Sequence, residues 1–134
     1  MDVHELKKEQ LKLAGKIELH DGFTKVKTIG AVDCLPLGEH ALLACVIICE
    51  YPSLTILEKK TYLLAEPLPF HPGYEAYREM PAIMEAYNQV EQEPDVLFVS
   101  GMGVAHPRRL GIASHVGLAL NKPTIGVSEK LFFG

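Results

Sequence analysis

The sequence lacks the motifs that identify several common classes of enzyme. It has no HExxH or HxH pair of histidines, no Walker loop, no GxGxxG loop and no GxSxG elbow. A zinc hydrolase, a P-loop nucleotidase, a dinucleotide-binding domain and a serine hydrolase are therefore not indicated. No stretch approaches the roughly 20 apolar residues of a membrane helix, and the N-terminus, MDVHELKKEQ, is too polar for a signal peptide. We therefore expect a soluble, cytoplasmic protein with no membrane partner.

The sequence also has little positive charge with which to hold a polyanion. Its 13 lysines and arginines are outnumbered by 17 aspartates and glutamates, which gives a net charge of −4. Binding to nucleic acid through bulk charge is therefore not expected, and such a role would need a local basic patch or a metal ion. The 134 residues, 48% of them hydrophobic, predict one globular domain that spans 1–134.

Cysteine is scarce, and the three that are present cannot all pair within one chain. Cys45 and Cys49 lie four residues apart in an apolar run that is typical of a β-strand, which places both on the same face. Because free cysteine usually packs as a small hydrophobic residue, we interpret Cys34, Cys45 and Cys49 as reduced core residues. The alternative, redox or metal chemistry, lacks a CxxC motif.

The hydrophobic pattern along the chain predicts an α/β fold. Residues 41–50 are a continuous apolar run, which indicates a central strand covered on both faces. The turn 51–53 predicts a hairpin, the proline-rich stretch 66–79 predicts a loop, and Pro81 fits the first turn of the following helix. A meander followed by crossover helices predicts a mixed sheet with helices on both faces. The predicted helices span 3–16, 80–92 and 107–120, and the predicted strands span 27–33, 41–50, 54–64, 96–100 and 124–127.

Two carboxylates are placed where an α/β fold can use them. Asp33 is predicted to end the first strand, and α/β sheets bind ligands at the carboxyl ends of central strands. Glu79 is predicted near a helix N-terminus, where the helix dipole favours negative charge. Each residue also has an ordinary interpretation, as a loop-capping aspartate and as a first-turn glutamate. Together they could hold a hard divalent ion such as Mg²⁺ through their oxygens.

The segment GMGVAHPRR, which follows the fourth predicted strand, is the most informative stretch. Gly101 and Gly103 would let the backbone approach a ligand, and the next helix would present free N–H groups to an anion. Arg108 and Arg109 would add charge for phosphate oxygens. The alternative is a plain strand–turn–helix connection with a solvated arginine pair. His106 alone is more typical of a turn or a cap than of a ligand.

Four motifs occur in order and at plausible spacing: IGAVD (29–33), PFHPGYEAYREMPAI (69–83), GMGVAHPRRLGIASHVG (101–117) and KPTIGV (122–127). They resemble endonuclease V, the repair nuclease that acts at deaminated adenine (inosine) in nucleic acid. The resemblance spans nearly the whole chain, and AHPRRLGIASHVG is a long and specific run. It implies a ribonuclease-H-like fold with strand order 3-2-1-4-5. It also implies a Mg²⁺-dependent hydrolase that cleaves DNA or RNA one bond beyond the lesion, on its 3′ side.

The resemblance implies roles for individual residues. Asp33 corresponds to the family's first metal carboxylate and Glu79 to its second, so both are expected to bind Mg²⁺ and to act in catalysis. In the family, a wedge loop inserts beside the lesion while the target base is flipped out. An aromatic residue in this loop provides a surface on which any base can stack. The wedge loop corresponds to Pro69, Phe70, His71 and Pro72, with His71 in place of an apolar residue, and the loop against the substrate corresponds to Gly101, Gly103, His106 and Arg108.

Two positions depart from the family pattern. Ser100 stands where the family has its third metal carboxylate, and a neutral hydroxyl attracts Mg²⁺ less than a carboxylate does. Glu129 stands in place of the catalytic lysine, which reverses a charge meant to face a developing oxyanion. Lys130 is adjacent, but a shift of one residue along a strand directs a side chain to the opposite face.

The sequence given stops at Gly134, whereas the family continues with elements that complete the base pocket. We therefore expect an endonuclease V-like protein that is weakened or inactive as a nuclease. One alternative is a working member of the family, and another is a non-catalytic module that binds nucleic acid or protein on the same fold. Uncovered apolar surface, which includes LFF (131–133), predicts a homodimer or a larger oligomer.

Overall fold

The computed structural model describes residues 2–20 and 25–129 of the chain. In these ranges, helices and strands follow one another in the predicted order α, β, β, β, α, β, α, β. None of the described helices is long and apolar enough to cross a membrane. The helices are α1 (Val3–Ala14), α2 (Glu75–Tyr87) and α3 (Ile112–Leu120), and the strands are β1 (Thr28–Pro36), β2 (Ala41–Glu50), β3 (Ile56–Ala65), β4 (Val96–Ser100) and β5 (Thr124–Val127).

The described strands form one mixed sheet in the order β3-β2-β1-β4-β5. β1, β2 and β3 are antiparallel neighbours, because short turns connect them in sequence. β4 is parallel to β1, and β5 is parallel to β4, because each is reached through a crossover that contains a helix. This arrangement confirms the α/β class and the strand order expected from the resemblance.

The hydrophobic core lies between one face of the sheet and the helices α2 and α3. Buried and half-buried residues alternate along β2, as the two-residue period of a strand requires. The buried set joins Ile83 of α2 and Val116 of α3 in a single hydrophobic cluster. The β2 residues in this cluster, each no more than 1% exposed, are Leu42, Ala44, Val46 and Ile48.

The opposite face of the sheet, here called the open face, is not covered by the described helices. Right-handed crossovers that step in the same direction, from β3 to β4 through α2 and from β4 to β5 through α3, place their helices on the same side. The expectation of helices on both faces, and of a β2 strand buried on both faces, is corrected accordingly. The large apolar residues of the open face, which are 44 to 57% exposed, are Leu35, Leu63, Ile125 and Val127.

Helix α2 begins at Glu75, five residues before the predicted start at 80. The Glu75 carboxylate accepts a hydrogen bond from the Gly73 N–H at 3.1 Å just before the helix, and the N-cap residue, Tyr74, makes no side-chain capping bond. Pro81 therefore lies inside the helix and not in its first turn. Glu79 consequently occupies a middle turn, so the expected stabilisation by the helix N-terminus does not apply to it.

Other boundaries differ from the prediction as well: α1 ends at Ala14 and not at 16, α2 ends at Tyr87 and not at 92, and β3 spans Ile56–Ala65 and not 54–64. β1 continues to Pro36, so Asp33 lies within the strand and not at its end. Helix α3 begins at Ile112 and not at 107, because Arg109 has a positive φ of 59° and Gly111 is the extended N-cap. The predicted strands 41–50, 96–100 and 124–127 are confirmed as written.

Gly30 allows a direct test of packing on the covered face. A Cβ atom there would lie 2.8 Å from Cδ1 of Leu97 and 3.2 Å from Cδ1 of Ile48. We expect Gly30→Ala to lower the free energy of unfolding by about 1–3 kcal/mol, because overpacking displaces core side chains. The matched control is Gly15→Ala, where φ is −68° and the nearest atom would be 3.5 Å away. Urea denaturation measures both, and equal destabilisation by the two changes would contradict this account of the core.

Candidate functional site

Asp33 and Ser100 lie side by side on the open face. Val32 of β1 pairs with Val99 of β4, so the residues that follow them are neighbours on two parallel strands. Both side chains are exposed, and both line one open cavity of about 340 Å³. The structure therefore brings together the expected first metal carboxylate and the serine expected in place of the third. The remainder of the cavity is largely apolar and includes Cys45, Ile47, Phe98 and Val127.

Glu79 lies on the other side of β1. Asp33 and Cys34 are consecutive in a strand, so their side chains point to opposite faces, and Glu79 is hydrogen-bonded to the Cys34 thiol on the helix-covered side. Burial raises the pKa of Glu79 to about 7; the charges of Glu75 and Asp33 act in the same direction, while the Cys34 hydrogen bond opposes it. Burial also raises the pKa of the Cys34 thiol, and the negative charge of Glu79 adds to that effect.

The two expected metal carboxylates therefore do not form a closed cluster. Across residues 2–20 and 25–129, no group of three or more His, Cys, Asp or Glu side chains is placed to hold a metal ion. The groups that can face an ion at the cavity are the Asp33 carboxylate and the Ser100 hydroxyl. Mg²⁺ often binds through one or two carboxylates together with water and substrate phosphates. The donor set fits an ion that is held weakly and with the help of a bound phosphodiester.

The loop 69–72, here called the Phe70 loop, projects from the end of the sheet towards solvent. Its Phe70 side chain is 61% exposed, which is unusual for a large aromatic residue. The backbone on both sides of the loop is held: Arg78 Nη1 donates to the Leu68 carbonyl at 2.7 Å, and Tyr74 N–H donates to the His71 carbonyl at 2.9 Å. The wedge-loop correspondence thus falls on a tethered loop with an exposed ring at its tip.

His106 is fully buried, and both of its ring nitrogens are used within the chain. Nδ1 accepts hydrogen bonds from the N–H groups of Arg108 at 3.1 Å and Leu110 at 3.3 Å. Nε2 therefore carries the proton and donates to the Gly73 carbonyl at 2.7 Å. Burial lowers the pKa of His106, with the Arg108 charge acting in the same direction, which keeps the ring neutral. The side chain shapes the loop and has no nitrogen free for a substrate.

Arg108 points into the protein, and Arg109 is exposed. The Arg108 guanidinium lies 4.3 Å from the centre of the Tyr74 ring, donates through Nη2 to the Gly73 carbonyl at 3.0 Å and through Nε to Gln10 Oε1. The sequence therefore predicted a pair of phosphate-binding arginines, whereas the structure presents one of them to solvent. The N-terminus of α3 is also occupied, because the Ala113 N–H donates to the Met102 carbonyl at 2.9 Å.

The glycines of the 101–103 turn permit close backbone packing beside β5. Gly101 has a φ of 140°, and a Cβ there would lie 2.3 Å from Cγ2 of Ile112, so no other residue fits. A Cβ on Gly126 would lie 2.7 Å from the Gly101 carbonyl oxygen and 2.8 Å from the Gly103 nitrogen. Gly103 itself has room for a side chain. Tight packing thus explains why residues 101 and 126 are glycine, but it does not explain the glycine at 103.

Glu129 is exposed and lies two residues beyond the end of β5. The residue expected in place of the catalytic lysine is therefore an exposed carboxylate. Lys130 and the apolar run 131–133 fall outside the described residues.

Sequence reasoning missed two groups near these residues. Gln10 is 1% exposed on an otherwise solvent-facing helix, but nothing in a pattern of Leu, Lys, Glu and Gln distinguishes a buried glutamine from its neighbours. Cys34 was expected to be a reduced core residue; it is free and packs against the core, but its contact with Glu79 was not foreseen. Because Cys34 directly follows Asp33 in a strand, the sequence did indicate that the two side chains point to opposite faces of the sheet. All three cysteines are free and half-buried, and Cys45 and Cys49 share the open-face side of β2.

The raised pKa of Glu79 makes the stability of the fold depend on pH. The folded protein keeps this proton up to about pH 7, whereas the unfolded chain releases it near 4.5. Between these values the folded state binds more protons, so the free energy of unfolding falls as pH rises, by about 1 kcal/mol per pH unit. Glu79→Gln removes this contribution, because glutamine does not titrate.

Urea denaturation between pH 4.5 and 7.5, in the presence of a chelator, measures this slope as the difference between the parent and Glu79→Gln. Glu85→Gln, which changes an exposed glutamate of the same helix, is the matched control and is expected to keep the parental slope. Identical slopes in the parent and Glu79→Gln would contradict the raised pKa.

Comparison with known proteins gives a consistent result. The family model for endonuclease V matches residues 11–134. The structure is similar to Ciona intestinalis endonuclease V, solved in complex with a 23mer DNA that contains an inosine followed by a ribo-adenosine, with a TM-score of 0.91 and 28% identity. It is also similar to Bacillus subtilis endonuclease V (TM-score 0.87, 27% identity) and to the catalytic domain of human endonuclease V (TM-score 0.85, 28% identity).

Each of these three alignments covers 97% of this chain, but only 58%, 57% and 59% of the Ciona, Bacillus and human chains respectively. The chain thus spans somewhat more than half the length of the structures it matches. The match runs through β1, the Phe70 loop, the 101–109 segment and β5, which carry the residues described above. On this evidence, the chain belongs to the endonuclease V family.

Proposed function

We propose that this chain binds nucleic acid containing deaminated adenine and is weak or inactive as a Mg²⁺-dependent nuclease, acting as one cytoplasmic domain. The observation that carries the proposal is the pairing of Asp33 with Ser100 at the open cavity, where a neutral hydroxyl stands beside the one carboxylate among the described lining residues. Inosine recognition is supported by the DNA bound to the Ciona relative. The Phe70 loop, which would contact the base, is retained, whereas the positions that would hold the metal ion are altered. We therefore expect binding to be kept and cleavage to be weak.

Binding would use stacking more than charge. Phe70 is exposed at the tip of a tethered loop, and stacking of a base on an aromatic ring contributes about 1–3 kcal/mol. The net charge of −4 leaves few phosphate contacts available, and Arg109 is the exposed arginine of the 101–109 segment. We therefore propose that Pro69, Phe70, His71 and Pro72 contact the base, and that the backbone around Gly101 and Gly103 lies against the substrate strand.

Cleavage would be limited by the groups that face the cavity. Asp33, assisted by Ser100, would hold Mg²⁺ there, and Glu79 would join only if its carboxyl group left the Cys34 contact and ionised. A bound Mg²⁺ supplies charge stabilisation and a more acidic water. Glu129 adds a negative charge near the phosphodiester, where the family has a positive one, and repels the developing oxyanion.

A cleavage and binding assay tests this proposal. Oligonucleotides with one inosine, or adenosine as the control base, are presented as DNA and RNA, single- and double-stranded, with Mg²⁺ or Mn²⁺. We expect preferential binding to inosine with little cleavage by the parent chain. Ser100→Asp supplies a second exposed carboxylate beside Asp33, so Mg²⁺-dependent cleavage should rise by about tenfold or more. Asp33→Asn should abolish that gain.

Ser53→Asp adds the same charge in the β2–β3 turn, away from the cavity, and is the matched control. Efficient inosine-dependent cleavage by the parent chain would overturn the proposal of a weakened nuclease. Absence of binding to every oligonucleotide would overturn the binding proposal and favour the alternative, a module that binds protein.

The open face bears on the predicted self-association. Leu35 and Leu63 lie on this face and are each 57% exposed, and the surrounding strand residues are mostly apolar. A second copy of the chain that packs the same face against this one would bury that surface in a two-fold dimer. Such a dimer would also cover the cavity lined by Asp33 and Ser100, so dimerisation and binding of nucleic acid at the cavity would exclude each other. Analytical ultracentrifugation at micromolar concentration should show a dimer or larger species, and Leu63→Lys should shift it towards monomer. A parent chain that sediments as a monomer contradicts this prediction.

A further inference from the structure

The backbone carbonyl of Gly73 is the meeting point of three side chains from distant parts of the sequence. His106 Nε2 donates to it at 2.7 Å, Arg108 Nη2 at 3.0 Å and Gln10 Nε2 at 3.1 Å. A carbonyl oxygen has two lone pairs, so three convergent donors exceed what an ordinary backbone group receives. We call Gln10, His106 and Arg108, with the Gly73 carbonyl, the Gly73 clamp.

The members of the Gly73 clamp also hold one another. Arg108 Nε donates to Gln10 Oε1, so the glutamine amide uses its nitrogen for Gly73 and its oxygen for the guanidinium. The His106 ring is fixed as a donor, because the backbone N–H groups of Arg108 and Leu110 occupy its other nitrogen. Each clamp member thus has a defined donor or acceptor role.

Glycine is required where the clamp closes. Gly73 has a φ of 86°, and a Cβ there would lie 2.8 Å from Arg108 Nη2. The Tyr74 ring then covers the guanidinium carbon at 4.3 Å. The guanidinium therefore lies between the Tyr74 ring and the Gly73 carbonyl that it binds. Its interactions stabilise the fold.

The clamp holds one end of the Phe70 loop, and a separate contact holds the other. Arg78 Nη1 donates to the Leu68 carbonyl at 2.7 Å. The four residues 69–72 span the two anchors at Leu68 and Gly73, and Phe70 is the second of them. Both ends of the short loop that carries the exposed Phe70 ring are therefore held by hydrogen bonds.

We propose that the Gly73 clamp is a positioning device that fixes Phe70 before nucleic acid binds, with Gln10 as an essential member. The inference rests on the proposed function for what Phe70 contacts, but the clamp itself is a property of the free protein. Fixing the loop in advance removes the entropic cost of ordering it during binding. Gln10 acts through Gly73 and does not contact substrate.

The test uses the absence of tryptophan from the chain. Phe70→Trp places a single tryptophan at the loop tip, where time-resolved fluorescence anisotropy reports its motion in the free protein. Adding Gln10→Met, which keeps the side-chain length but removes both hydrogen bonds, should increase the amplitude of the nanosecond motion about twofold. Arg108→Lys, which keeps the charge but loses the Nε donor, is a second variant and should act in the same direction. Circular dichroism establishes that each variant is folded.

Gln89→Met is the matched control, because Gln89 Nε2 also donates to a backbone carbonyl, that of Thr61 at 2.9 Å, far from the loop. The control should leave the motion of the tryptophan reporter unchanged. Unchanged motion in folded Gln10→Met and Arg108→Lys would overturn the inference, and so would equal loosening by the control.

Binding of the inosine-containing oligonucleotide separates this inference from the proposed function. In the tryptophan background, Gln10→Met should weaken binding by about three- to tenfold, as expected when a loop must be ordered on binding. A loosened loop with unchanged affinity would overturn the role of the clamp in binding. A loosened loop in a protein that never bound inosine would leave the clamp standing and refute the proposed function.

Discussion

The alternation of side chains along β1 is the constraint on which the rest of the structure depends. Gly30, Val32 and Cys34 face the helices, and Ala31 and Asp33 face the open side. This parity is fixed by the strand and cannot change at one residue without a bulge. It assigns Asp33 to the solvent-exposed cavity and leaves Glu79 under the helices beside Cys34, so the two carboxylates experience different dielectric surroundings.

The individual strands and helices could be predicted from the sequence because their signals are local, whereas the strand order was implied by the family resemblance. The apolar run of β2, the turn at 51–53 and the helix-containing crossovers each act over a few residues. The side of the sheet on which the helices lie follows from the handedness of two consecutive crossovers. This side can be deduced from the order of the elements in the sheet, but hydrophobic periodicity does not show it. The late start of α3 was not visible either, because it depends on a positive φ at Arg109, a residue with no preference for that conformation.

The candidate site was predicted less well than the fold, for a physical reason. Motif matching identifies residue types, whereas the role of a polar side chain is set by its partners in space. His106 and Arg108 lie in the longest matching run, yet their hydrogen bonds go to Gly73 and Gln10. Ser100 and Glu129 were informative before the structure was known, because each changes the charge relative to the family pattern. A change of charge predicts weaker binding of an ion or an oxyanion whatever the neighbouring residues are. Their neighbourhood, an open cavity beside Asp33, required the register of β1 with β4.

The Gly73 clamp has a consequence for how the loop comes to be ordered. Its hydrogen bonds join residues 33, 35 and 63 positions apart, and the Arg108–Gln10 bond spans 98 positions. Such contacts form only when the distant segments of the domain have already been brought together. The Phe70 loop therefore reaches this conformation only after the whole domain has folded. An excised fragment that contains only the loop and α2 lacks the means to display it, and any fluctuation that detaches α1 removes one of the three donors from the loop's anchor.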